Sequence, residues 1–360
     1  MHIPDGYLSP STCATLYVLA AAGWYAALQR IKRILTTRTI PLISVFAAFS
    51  FVVMMFNVPL PGGTTGHAVG VAVAAIVLGP WGSILAISIA LAIQALFFGD
   101  GGITTLGANS LNMAIIGSFV AYAVYRAIAA NSELLSRRRV LAAAVAGYCA
   151  INASAFVTAL EFGIQPVLFH DASGTPLYAP YPLRIAIPAM MLGHLTFAGL
   201  AEAAISAGMV AFLQKTDAGL LRGVRNLAQG PESMLPIPAV GASHKTLWWA
   251  VALLMILTPL GILAAGTAWG EWSAADFANS HARTQIEAAS GNQVPLASAP
   301  AGLQKLSSLW TAPFPSYAPK FIKSPLFGYL LSAIFGVGFL ALAALVARSV
   351  GKRKQPEVRA

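Results

Sequence analysis

The chain has 360 residues, 57% of them hydrophobic and only 9% charged, with a mean hydropathy of +0.72. Soluble domains carry roughly 25% charged residues, so an ordinary soluble enzyme is excluded and a protein built in lipid is implied. The net charge of +10 would suit a nucleic-acid binder, but the basic residues lie in loops between apolar runs, which reads as membrane topology and gives no nucleic acid as partner.

A secretory signal places a basic region before its apolar core. Here the first basic residue, Arg30, follows the first apolar run, so Met1 is expected to stay as the amino end. The opening Met1-His2-Ile3-Pro4-Asp5-Gly6 then puts three nitrogens in series: the Met1 amine, the His2 backbone nitrogen and a His2 imidazole nitrogen. A metal ion held by all three closes two small chelate rings and prefers a plane, because the peptide unit carrying them is planar. One more nitrogen completes a tetragonal site, which suits Ni(II) or Cu(II) better than tetrahedral Zn(II). Pro4-Asp5-Gly6 is turn chemistry that lets the tail double back; a frayed terminus is the other reading.

Ser9-Pro10 is a helix start, and the first span is expected at about 11–29, followed by Arg30, Lys32, Arg33 and Arg38. Its run Ala20-Ala21-Ala22-Gly23, with Ala26 and Ala27, makes a smooth face for close helix packing. A second span at about 40–58 ends in Pro59-Leu60-Pro61-Gly62-Gly63, a turn that delivers His67, the candidate fourth ligand. Residues 67–98 are one apolar stretch broken by Gly79-Pro80. Charge favours a hairpin of two short spans, about 65–78 and 81–98, because later basic clusters then fall on one side. After the loop Gly99-Asp100-Gly101-Gly102, further spans are expected at about 109–125, 140–162, 183–213, 247–265 and 326–347.

The expected fold is thus an all-α polytopic membrane protein of about nine transmembrane helices, N-terminus outside and C-terminus cytoplasmic. Of the 22 basic residues, only Arg184, Arg283, Lys305, Lys320 and Lys323 fall outside, a strong positive-inside bias. Three parts follow: residues 1–213 as a seven-helix metal-binding unit, a basic cytoplasmic linker at 214–246, and a two-helix part at 247–360 with an external loop at 266–324. Trp269 and Trp272 in that loop are expected at the membrane edge as aromatic-belt residues.

His194 and Glu202 stand eight residues apart on one expected helix and so share a face. An intramembrane ionisable pair is a functional candidate, but a hydrogen bond inside the bundle or a contact with a partner suits them better than metal binding. Asp5, Asp100, Asn109 and Asn112 are candidates to orient metal-bound histidines from a second layer; for the two asparagines, helix capping and interhelical bonding are equally open. His170, His244 and His281 carry no ligand spacing, and Cys13 and Cys149 read as structural thiols. There is no Gly-x-x-x-x-Gly-Lys-Ser/Thr loop for ATP and no His-Glu-x-x-His, so no energy source is encoded. The readings still open are a transport subunit, a membrane metalloenzyme using His194 and Glu202, and a carrier of an organic substrate.

Met1-His2-Ile3-Pro4-Asp5-Gly6-Tyr7-Leu8-Ser9, with Gly66-His67, Asp100-Gly101-Gly102, Thr105-Leu106-Gly107-Ala108-Asn109 and Asn112-Met113, closely resembles the CbiM/NikM family. These are substrate-binding (S) components of energy-coupling factor (ECF) ABC transporters for cobalt and nickel, and the likeness covers about residues 1–215. It implies a cell-membrane transport subunit, not an enzyme, whose inserted tail holds Co(II) or Ni(II) through Met1, His2 and His67, without an organic cofactor. It also implies a transmembrane coupling (T) subunit and two cytosolic ATPase subunits as partners, with the basic linker and the smooth first span as contacts. The last two spans resemble the small CbiN/NikN-type component, although the Pro-Asp-Gly-Leu-Glu motif of related C-terminal extensions is absent.

Overall fold

In a lipid core every backbone N–H and C=O must find its partner within the protein, and the apolar runs of this chain do so as helices. The computed structural model describes residues 1–32, 39–60, 63–223, 240–264, 266–319 and 321–352. Among these, seven helices are long and apolar enough to cross a membrane: α1 (Pro10–Lys32), α3 (Val71–Phe98), α4 (Leu106–Ala129), α5 (Arg137–Leu168), α6 (Leu183–Thr216), α7 (Lys245–Leu263) and, at the C-terminal end, α10 (Pro325–Val346). The multi-pass helical fold is as expected. A shorter helix, α2 (Thr39–Met54), lies where the second span was expected. A two-stranded ribbon, β1 (Val58–Leu60) paired antiparallel with β2 (Thr64–Gly66), joins α2 to α3. Residues 224–239 of the basic linker fall outside the described residues.

Helix α3 is the hairpin that Gly79-Pro80 signals. Gly79 has φ 72° and ψ 168°, a conformation open to glycine alone, and Pro80 starts the second arm. Both ends of α3 lie at the same end of the bundle: His67, just before it, stacks on His2, and Asp100, just after it, meets His2. A straight helix of 28 residues would part them by about 42 Å. The first arm has only residues 71–78 in helix, and 67–70 lead into it as irregular chain with Gly70 in the left-handed region.

Neighbouring helices approach each other closely at glycines. Gly163 of α5 lies against the Leu183 backbone of α6, and Gly107 of α4 against the Tyr17 backbone of α1. Of the smooth run on α1, Ala20 and Ala27 are buried while Ala21 and Ala22 are exposed beside Val18, Leu19 and Tyr25. Helix α1 therefore presents an apolar outer face.

The C-terminal part packs on α2 and then folds back over one end of the molecule. Gly336 of α10 sits on the Phe51 ring, and Gly261 of α7 against Met55 O. Tyr329 donates to Met55 O at 3.0 Å, and Ser44 to Leu340 O at 3.2 Å. Between them the segment 266–319, with α8 (Ser280–Ala289) and α9 (Ala301–Leu306), covers the end where the amino tail enters. This corrects the expectation for Trp269 and Trp272. They are 6% and 4% exposed and pack against Phe162 and Tyr181, because Phe162, Tyr181 and Tyr7 offer them a dry aromatic surface that lipid headgroups do not.

Candidate metal centre

The amino tail doubles back into the bundle. Met1, His2 and Ile3 are 3%, 1% and 0% exposed, so the tail is a structural element and not a frayed end. Polar groups from the 99–109 region hold it at each step. Asn109 accepts from Ile3 N at 2.8 Å and donates to Ile3 O at 3.1 Å, and Gly102 N donates to the same carbonyl at 2.9 Å. The Asp5 carboxylate accepts from Ile103 N at 3.1 Å and from Thr104 N at 2.7 Å. Farther along, Ser9 N donates to Gln165 Oε1 at 3.0 Å, and Ala179 N to Tyr7 O at 3.0 Å. Gly6, at φ 90°, lets the chain turn against the backbone of Gly302 and Leu303.

This anchoring brings His2 and His67 face to face, ring centroids 4.8 Å apart and planes 27° from parallel. His67 Nδ1 lies 3.0 Å from Ala68 O. That contact assigns its proton to Nδ1 and leaves the Nε2 lone pair as a ligand. Both Nε2 atoms, of His2 and of His67, are buried without a hydrogen-bond partner. Among the described residues no acceptor faces the His2 backbone N–H either, although the next N–H, of Ile3, is bonded. Burial, then the positive charges of His2 and the Met1 amine, hold the His67 pKa well below the usual 6.5, so its ring stays neutral and able to donate a lone pair.

Two carboxylates complete the surroundings. The Met1 amine pairs with Glu271 Oε1 at 2.8 Å, and His2 Nδ1 lies 2.6 Å from Asp100 Oδ1. Burial alone would raise the Asp100 pKa. The His2 charge and hydrogen bond, with a 2.5 Å hydrogen bond donated by Tyr317, outweigh it and hold the carboxyl well below the usual range. Their negative charges are of the sign that attracts a cation into a low-dielectric site. Among the described residues no three His, Cys, Asp or Glu side chains converge on one point. A metal ion here needs main-chain nitrogens as well.

The other residues singled out from the sequence fall in different places. Asn109 grips the tail backbone and not an imidazole. Asn112 lies deeper and donates to Thr158 Oγ1 at 3.1 Å and Glu161 Oε2 at 2.7 Å. Glu202 and His194 make no bond to each other. The Glu202 Oε2 atom accepts from Val69 N at 2.6 Å and Gly70 N at 2.9 Å. This fixes the irregular segment that carries His67. His194 Nδ1 turns back to Met190 O of its own helix at 2.8 Å. The sequence reading missed Glu271 and Tyr317. Glu271 was the more legible of the two, as a lone acid between two aromatics in Trp269-Gly270-Glu271-Trp272.

Comparison with known proteins identifies relatives of the chain. Residues 2–220 match the CbiM family, described as the cobalt uptake substrate-specific transmembrane region. Residues 243–353 match the PDGLE domain, although the literal pentapeptide is absent. The chain is 50% identical to the fused nickel transport protein NikMN of Rhodobacter capsulatus over 94% of its own length and 95% of the relative's. It is 44% identical to the probable fused nickel transport protein LarMN of Lactiplantibacillus plantarum, over 76% of this chain and 78% of that one. A crystal structure of a transition metal transporter, 50% identical, superposes with a TM-score of 0.57 over 60% of this chain and 94% of its own. A membrane-spanning bundle with a nitrogen-rich buried end, matched to the family over residues 2–220 and to a fused nickel transport protein over 94% of its length, belongs to the CbiM family of metal-transport proteins.

Proposed function

We propose that this chain is the metal-binding subunit of an ECF-type importer for Ni(II) or Co(II). It captures the ion through four nitrogens: the Met1 amine, the His2 backbone nitrogen, a His2 imidazole nitrogen and His67 Nε2. The observation that carries this reading is the stacked pair of buried imidazoles, His67 with an unpartnered Nε2 and His2 with the Nδ1 that can close a ring with its own backbone nitrogen, beside the amine and the unbonded His2 N–H. A planar chelate of this kind selects by geometry, since affinity alone follows a series that peaks at Cu(II). Nickel is the first choice, because relatives that share the fused two-part architecture are named for nickel transport. The chain carries no phosphate-cradling loop, so energy is supplied by a T subunit and two cytosolic ATPases.

The test is to insert two leucines between Met1 and His2 and to measure nickel and cobalt in the purified protein by elemental analysis. The insertion moves the amine out of the chelate while leaving both rings. Metal content should fall to background; undiminished stoichiometry would eliminate the amine chelate.

A further inference from the structure

At the end of the bundle opposite the metal centre, a cavity of about 500 Å³ opens between the end of α1, the turn of α3, the α4–α5 connection and the chain after α6. Four arginines line it, Arg30, Arg126, Arg139 and Arg222, and no carboxylate does. Among the described residues no acid lies within ion-pairing distance of Arg30, Arg126 or Arg139. Arg139 is fixed by bonds to Ser132 O at 2.9 Å, Tyr125 Oη at 3.1 Å and Glu133 O at 3.0 Å. These neutral acceptors hold the guanidinium in place but leave its charge uncompensated. Arg30 lies over the Trp81 ring at 5.4 Å and Arg126 over Tyr122 at 5.8 Å. Such stacking fixes a guanidinium plane while its edges stay able to donate.

The rest of the lining is apolar, including Ile31, Ile76, Leu78 and Pro80. Positive charge above an apolar wall, at a helix-end level marked by Trp81 and Tyr122, matches a lipid at the membrane interface. We infer that this cavity binds the headgroup of an anionic phospholipid, its phosphate between Arg30 and Arg126 and its glycerol against the apolar wall. A soluble anion would have no use for that wall, and a zwitterionic headgroup would bring its own cation against the arginines. The occupied site would tie α1 to the α3 turn and to α4, helices that otherwise meet there through few polar contacts.

The test uses the full chain in nanodiscs of equimolar phosphatidylcholine and phosphatidylglycerol, with retained lipid counted by native mass spectrometry after release. The parent protein should retain phosphatidylglycerol in preference to phosphatidylcholine. Arg30→Gln with Arg126→Gln should lower that retention roughly tenfold or more, while Arg30→Lys with Arg126→Lys keeps most of it. Nickel content, set at the other end of the molecule, reports that each variant is folded and should not change. Equal retention of both lipids, or undiminished retention in the glutamine variant, overturns the inference. So does displacement of the bound species by millimolar inorganic phosphate, which would make the site one for a free anion.

Discussion

The two nitrogens of His67 have separate tasks. Nδ1 is tied to Ala68 O, so the ring cannot rotate to present it, and Nε2 is left buried and unpartnered. Burial and the neighbouring positive charges depress its pKa. The sign of the consequence follows. A histidine with a lowered pKa keeps its lone pair as pH drops below 6.5, and its neutral burial favours the folded state fully above 6.5 and progressively less as pH falls toward its own lowered value. Proton competition for a metal at the proposed site therefore arises not at His67 but at the His2 ring and, together, at the amine and the His2 amide. If both nitrogens give up a proton, nickel affinity should fall about 100-fold for each unit of pH lost. Binding isotherms between about pH 8 and pH 6 test this, a range in which His would ordinarily titrate. A slope near zero would mean that the amine and amide are not ligands.

At the scale of the element, the tail works because backbone approaches backbone with no side chain between. A Cβ on Gly102 would stand 2.3 Å from Asp5 Oδ1 and 2.4 Å from Asp5 N, and one on Gly101 would stand 2.9 Å from Asn109 Nδ2. The loop after α3 is thus a mould for residues 3–5. Gly102→Ala should lift the tail, withdraw Met1 and His2 from His67, and lower nickel content to background without unfolding the bundle. Gly208→Ala on α6, where a Cβ meets nothing within 4 Å, is the matched control. It should leave nickel content intact and stabilise the helix by about 0.5–1 kcal/mol. Nickel content and thermal stability of both variants, measured together, separate a displaced tail from a damaged fold. The turn signals Pro4-Asp5-Gly6 and Gly79-Pro80 were readable because such residues restrict the local backbone whatever surrounds them. The partners of Asp5 and Asn109 were not, since a capping carboxylate and a backbone-gripping amide have the same local sequence as surface residues. Glu202 is a similar case: its spacing from His194 pointed to a shared face, while its bonds run to the segment just ahead of α3.

At the scale of the whole molecule, the apolar runs revealed the bundle because lipid leaves the backbone no alternative to helix. The covering segment left no comparable trace. Its contacts join residues far apart in the chain, Met1 to Glu271 and Asp100 to Tyr317, and periodicity carries no information about such pairs. They matter because they touch the metal centre itself. Glu271 engages the amine of the proposed chelate, and Tyr317 bonds the carboxylate beside His2 while also accepting from Gln94 Nε2 at 2.9 Å. Trp272 O accepts from the Tyr7 hydroxyl at 2.8 Å, so the cover is fastened to the tail on its other side as well. An ion entering or leaving at this end has to pass that cover. Glu271→Gln combined with Tyr317→Phe weakens two of its fastenings, each a hydrogen bond to a charged group worth about 1.5–3 kcal/mol. Neither change removes a nitrogen ligand. Nickel should still bind at one ion per chain, but its loss to an excess of chelator should quicken by one to three orders of magnitude, roughly in proportion to the strength of the two bonds. The Trp272–Tyr7 contact remains in this variant and limits the effect. A chelator chase on the parent and the double variant decides the matter: equal rates would mean that the ion reaches solvent by a route the C-terminal segment does not control.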